Sequence, residues 1–258
     1  MTTLPNWVRQ LGIPLAAIVI FVLFWEWLVW VNGWPNYKMA SPSDLGPAFV
    51  KYRWLFLEYG WETLWRTVVG LGLAVVFGVL IGMVMGFSKV VRDGLYPLLV
   101  GFNAIPKATL VPVIALMFVG AHDMNTILIA FLISFFPIAV SISLGLSTLE
   151  PEYRDILRSL GASRWTIFKK IALPKTLPEF FGALKVAVTL AFIGTNLMEI
   201  VEPHGKGLGH LFDSGKINAD YPLMFAVLIA LAVLGIVLYY VVVFLEQIFA
   251  GWAERSET

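Results

Sequence analysis

Apolar residues in this chain do not alternate with polar ones; they run together in long blocks. Six blocks are long enough to cross a bilayer: residues 13–31, 64–87, 95–119, 126–146, 180–201 and 222–249. A hydrocarbon core of ~30 Å calls for about 20 predominantly apolar residues of helix. Lipid offers a backbone amide no partner, so each block is predicted as a helix that bonds within itself. The fold class is therefore all-α, a polytopic membrane protein with six transmembrane helices. The second block carries Gly70, Gly72, Gly78, Gly82 and Gly86. Small residues at such spacing let helices approach closely.

The segments between blocks add detail. Ser41-Pro42-Ser43-Asp44 has the pattern of a helix start, and Trp54, Phe56, Tyr59, Trp61 and Trp65 follow it. Such rings suit the membrane–water interface, so residues 32–63 are predicted to hold a short helix lying on the outer surface. Residues 202–221, rich in glycine and charge, are predicted as a structured loop. The chain divides into an N-terminal span with its interfacial segment (1–63), a five-span core (64–250) with a charged loop (148–179), and a short tail (251–258).

Composition narrows the classes. Of 258 residues, 59% are hydrophobic and 14% charged. A soluble domain carries about 25% charged residues, so the apolar surplus faces lipid. There is no cysteine, which excludes a disulfide framework and thiol chemistry. A net charge of +1 gives no sign of a nucleic-acid partner. The first block is too long for a signal-peptide core and no small-residue cleavage site follows, so it reads as a retained span.

Lysine and arginine mark the cytoplasmic side. With both termini inside, the inner segments hold Arg9, Lys89, Arg92, Arg154, Arg158, Arg164, Lys169, Lys170, Lys175 and Arg255. The outer segments hold Lys38, Lys51, Arg53, Arg66, Lys206 and Lys216, ten against six.

The charged loop reads as two short helices. Pro151 suits a first helical position. Tyr153, Ile156, Leu157 and Leu160 make one apolar face. Gly161 can take the left-handed geometry that ends a helix, and Ser163 can cap the next. Trp165, Phe168 and Ile171 form a second stripe, and Pro174 is predicted to stop the helix. An apolar face with a charged rim fits a docking element; it also fits a basic helix on anionic lipid. The residues alone leave both open.

Polar groups inside the blocks are the candidates for a path. Lys107 lies mid-block beside Pro106, with Asn103 one turn away. A lysine at the bilayer centre costs ~2.5–3.5 kcal/mol on insertion scales, so it must face protein or water. One reading is a cation that holds an anionic substrate; the other is a lysine that snorkels or pairs with an acid. Asn196 and Glu199, three residues apart, are candidates for the outer vestibule. Glu26 reads as a structural hydrogen-bonding group. The histidines show no metal-ligand spacing. No nucleotide loop is present: Gly215-Lys216 lacks the glycine five residues before it and the hydroxyl after it.

The spacing of Gly161, Ile171, Leu173 and Pro174 resembles the EAA loop of ABC importer permeases, E-A-A-x3-G-x9-I-x-L-P. Asp155-Ile156-Leu157 stand where Glu-Ala-Ala is usual, so the acid is kept and the two small residues are not. Ser41-Pro42-Ser43, Thr63-Leu64-Trp65-Arg66-Thr67, Asn103-Ala104-Ile105-Pro106-Lys107, Pro112 and Gly207-Leu208-Gly209 resemble the nitrate/sulfonate/taurine/bicarbonate branch of that family. The resemblance implies a type I ABC importer permease fold in the inner (plasma) membrane. It implies a cytoplasmic coupling helix carrying Asp155, Leu157, Gly161, Ala162, Ser163, Ile171, Leu173 and Pro174; the path of such a permease would be lined by the polar span residues named above, Asn103, Lys107, Asn196 and Glu199. It implies two ABC ATPase subunits that bind ATP and Mg, a second permease copy, and an external substrate-binding protein. The chain itself would be no enzyme and hold no cofactor or metal. The solute would be small and anionic (sulfonate, taurine or nitrate), with an aromatic acid or vitamin precursor as the alternative. An ion-driven carrier would instead need acids deep in the spans, where Glu26 and Glu199 are the candidates. A membrane scaffold would not need Pro106 and Pro112 in one span.

Overall fold

The structure, a computed structural model, describes residues 12–147, 159, 161, 163, 166, 168–202 and 205–252. Every regular element among them is helical: α1 (Ile13–Asn32), α2 (Pro42–Lys51), α3 (Arg53–Phe87), α4 (Lys89–Ala104), α5 (Lys107–Met117), α6 (His122–Ser147), a π turn (Phe168–Ala172), α7 (Leu173–Val201), α8 (Leu208–Ile217) and α9 (Tyr221–Ala250). Five helical runs are long and apolar enough to cross a membrane, and α4 with α5 makes a sixth if the bent pair counts as one.

Helix α6 is the centre. Half of its most apolar stretch is buried, against 6% in α1 and 17% in α9. Those two outer helices leave most of their apolar surface uncovered by the rest of the chain. The central contact is α3 on α6, and glycine makes it. A Cβ on Gly70 would lie 2.6 Å from Ala130 Cβ; on Gly78, 2.9 Å from Ile138 Cβ; on Gly82, 2.7 Å from the Ala139 carbonyl; on Gly86, 2.7 Å from Leu146 Cβ. The four-residue spacing of Gly70, Ala74, Gly78, Gly82 and Gly86 is one helical face, and it removes the side chains that would hold the helices apart. Gly72, off that face, meets nothing. Phe181, Leu184 and Val188 of α7 and Leu238 and Val242 of α9 complete this core.

Four expectations change. The aromatic residues 54–65 do not sit on a separate surface helix: α2 ends at Lys51, and α3 starts at Arg53 and runs 35 residues without a break. No proline interrupts residues 53–63, so the span's helix extends back through them, past the expected start of its block at residue 64. The third block is not one straight helix. Ile105 and Pro106 are extended (ψ 128° and 111°), and α4 and α5 meet at 87°. A proline ring drives the residue before it out of the helical region. Residues 202–221 contain a true helix, α8. Pro174 does not stop a helix; it lies in the first turn of α7, where a missing amide costs nothing, and the wider π turn leads into it.

Candidate functional site

At the end of the bundle away from the α6–α7 connection, an ion network centred on buried Arg66 and Glu199 ties α3, α6, α7 and α8 together. The Arg66 side chain is 5% exposed and Glu199's is 1% exposed. Arg66 donates Nε to Asp123 Oδ1 at 2.8 Å, Nη2 to Glu62 Oε2 at 3.0 Å, and Nη1 to Glu199 Oε1 at 3.4 Å and to the Lys206 carbonyl. Glu199 also accepts from Thr63 Oγ1 at 2.9 Å and from the Gly209 amide at 3.0 Å. Its carboxylate therefore sits at the amino end of α8, where the free amides and helix dipole favour a negative charge. Gly207 makes room for it: φ is +143°, and a Cβ there would lie 2.1 Å from Glu199 Cδ. Beside this network Glu202 accepts from Asn125 Nδ2 at 2.6 Å and lies 2.9 Å from His122 Nδ1.

Asp220 forms a smaller junction. It accepts from the Tyr52 hydroxyl at 2.5 Å and the Leu223 amide at 3.1 Å, which caps α9, and Lys51 lies 3.7 Å away. Burial pushes this carboxyl up, but Tyr52, the Leu223 amide and Lys51 together hold it below the ordinary aspartate value.

The four predicted path residues lie in different surroundings. Glu199 belongs to the ion network. Asn196 donates Nδ2 to the Phe192 carbonyl of its own helix at 2.7 Å. Lys107 stands at the α4–α5 break and donates Nζ to the carbonyls of Asn103 and Ile105. Those carbonyls end α4 and have no amide ahead of them, so the lysine caps the broken helix. Asn103 is exposed and opens onto a cleft of about 540 Å³ between α4, α6 and α7, together with Phe136, Pro137, Ser141, Glu179 and Leu190. Ser141 Oγ donates to the Glu179 carbonyl at 2.8 Å.

Of the predicted coupling residues, Asp155, Leu157 and Ala162 lie outside the described residues. Gly161 has φ +78°. Ser163 Oγ accepts from the Thr166 amide at 3.1 Å, the geometry of an N-cap. Ile171 is half-buried in the π turn, Leu173 is 43% exposed, and Pro174 opens α7. Among the described residues no three His, Asp or Glu side chains gather to hold a metal.

Two groups escaped the sequence reading. Arg66 counted there as one more outer charge, although Glu62 four residues before it was a visible partner. Glu179 fell just short of a block that was begun at residue 180; α7 in fact begins at Leu173.

The profile of the family described as "Binding-protein-dependent transport system inner membrane component" matches residues 74–251. The formylaminopyrimidine transport permease protein ThiX of Halalkalibacterium halodurans is 30% identical over 244 residues, 94% of this chain and 96% of that one. The riboflavin transport system permease protein RibX of Chloroflexus aurantiacus is 29% identical, over 94% and 90% of the two chains. The taurine transport system permease protein TauC of Escherichia coli matches at 25% identity, over 90% and 85%. In fold, a chain of the MetNI methionine ABC transporter, solved in inward-facing conformations, superposes with a TM-score of 0.65 at 21% identity, over 77% of this chain and 98% of that one. This chain belongs to the binding-protein-dependent transport system inner membrane components, and it is a multi-pass permease subunit of an ABC importer.

Proposed function

We propose that two copies of this permease, or one copy and a close homologue, enclose a solute path and sit on two ATPase subunits that supply the energy. The observation that carries the reading is the family match across the core, from residue 74 to 251. The chain brings no nucleotide loop of its own, so hydrolysis falls to a partner. The stretch between α6 and α7 carries Gly161 and leads into Ile171, Leu173 and Pro174 at the start of α7, the Gly161–Ile171–Leu173–Pro174 spacing. Its left-handed Gly161 and capping Ser163 suit a compact element for docking an ATPase. Nucleotide closure of the ATPases would draw the two segments together and re-pack the spans between inward and outward packings, a shift between two populations. An external binding protein would deliver the solute, and both termini would lie in the cytoplasm.

The solute is a small organic molecule in this reading. The expected anion site at Lys107 loses support, because the α4 carbonyls take its ammonium. ThiX and RibX carry names of ring compounds. The taurine permease among the relatives keeps a small sulfonate as the second reading.

The test is ATP-dependent uptake by the purified permease–ATPase complex in proteoliposomes, with wild-type and Gly161→Val permease. A β-branched side chain is costly at φ above zero, so Gly161→Val is expected to insert but to lose ATPase coupling. Uptake by the permease without any ATPase would refute the proposal.

A further inference from the structure

Several charges inside the spanning helices have internal answers. Lys185 pairs with Glu246 at 2.9 Å, Arg66 with Glu199 and Asp123, and Glu26 accepts from the amide and hydroxyl of Ser43. Glu179 differs. It makes no ion pair among the described residues, and it is exposed on the wall of the α4–α6–α7 cleft. An ionised side chain facing hydrocarbon is costly, so this face meets water or protein rather than lipid. The neighbouring helix is shaped for the acid: a Cβ on Gly145 would lie 2.6 Å from Glu179 Oε2. The cleft offers apolar and aromatic surface from Phe136, Pro137 and Leu190, with Asn103, Ser141 and Glu179 as polar groups. Its ≈ 540 Å³ is the volume of a small-molecule site.

We infer that this cleft is a water-filled solute site that takes a flat ring compound bearing N–H donors or positive charge, and that Glu179 selects against anions. The assignment rests on the importer reading. A carboxylate accepts hydrogen bonds and donates none when ionised. Paired with an amide and a hydroxyl over an apolar wall, it matches amino and ring N–H groups on a planar body. A sulfonate or nitrate would meet like charge there.

The absence of cysteine allows a direct test, because a single introduced thiol has no background. Ser141→Cys lies beside Glu179; Phe244→Cys, on the exposed apolar face of α9, is the lipid control. Full-length permease with its ATPase is labelled in membranes with methanethiosulfonates carrying either a trimethylammonium or a sulfonate. One charge at about 6 Å in water biases the two rates apart by roughly tenfold. Ser141→Cys is expected to react with the cationic reagent about tenfold faster relative to a free thiol, and Glu179→Gln in the same chain is expected to erase that preference, while Phe244→Cys stays unreactive. Millimolar 4-amino-2-methylpyrimidine is expected to slow the labelling, and taurine is not. No reaction at Ser141→Cys with either reagent, equal rates, or protection by taurine alone would overturn the assignment. A cationic preference with no protection by the pyrimidine would remove the ring-compound class. ATP-dependent uptake is scored on the same complex, so loss of the importer reading is seen separately from loss of this one.

Discussion

Three carboxylates converge on the guanidinium of Arg66, and the amides of α8 close the shell around Glu199. Around Glu179 no base converges among the described residues, and a cleft opens instead. Both sites put charge on a membrane-spanning helix. One neutralises it with partners drawn from four helices and buries Arg66 and Glu199 at its centre. The other leaves it facing a space large enough for a solute. The first is a solution for holding helices in register; the second is a solution for passing something through. Whether a charge on a spanning helix is structural or functional is read here from what faces it: Glu179 and Glu199 are the same residue type on the same helix, in different surroundings.

That contrast orders the expected effects of substitution. Arg66→Met should be the most damaging. It strands Glu199 in a buried shell, and breaking a buried pair from one side costs about 3–5 kcal/mol. In a chain of this size that lowers the thermal midpoint by roughly 6–20 °C. Arg66→Met with Glu199→Met should recover part of the loss, because no charge is left alone. Differential scanning fluorimetry of the detergent-purified permease reads both.

Next comes the glycine seam. Gly82→Val would drive a branched side chain against the Ala139 carbonyl and Ile142. Overpacking of this kind costs about 1–3 kcal/mol. Gly72→Val, at a glycine that meets nothing, is expected to leave the midpoint unchanged in the same assay.

Asp220→Ala should have a smaller effect that depends on pH. The folded carboxyl titrates below its ordinary 3.8, so it stabilises the fold above that value and ceases to do so as the pH falls through the lower folded value. At pH 7 the lost cap and tyrosine contact should cost about 1 kcal/mol. The wild-type and Asp220→Ala midpoints should converge as the pH is taken below 4; parallel curves would mean that folding does not shift the Asp220 carboxyl.

The spans were legible because long apolar runs have one physical solution in lipid. The bend between α4 and α5 was half legible: Pro106 was evident, and the rule for the residue before a proline gives the break, but the 87° angle depends on how Val111 and Ile114 of α5 pack against Ile129 and Met198. Arg66 was not legible as a hub, since Asp123, Glu199 and Lys206 lie 57, 133 and 140 residues away. Lys107 drew attention for the right physical reason, that a cation in a span needs partners. The partners are carbonyls freed by the break beside it, which a continuous helix would not have exposed. Glu179 lay one residue outside its block, because hydropathy alone does not show that the helix runs on past Pro178 to Leu173.

The thermal midpoint of the Glu179→Gln complex, measured beside Arg66→Met, tests the division between a structural and a solute-facing charge most directly. The account predicts that Glu179→Gln melts within about 2 °C of wild type, as expected for a change of under about 1 kcal/mol at an exposed position, while its uptake of 4-amino-2-methylpyrimidine falls. A Glu179→Gln midpoint as low as that of Arg66→Met would contradict it, because Glu179 would then be one more ion that holds the bundle together.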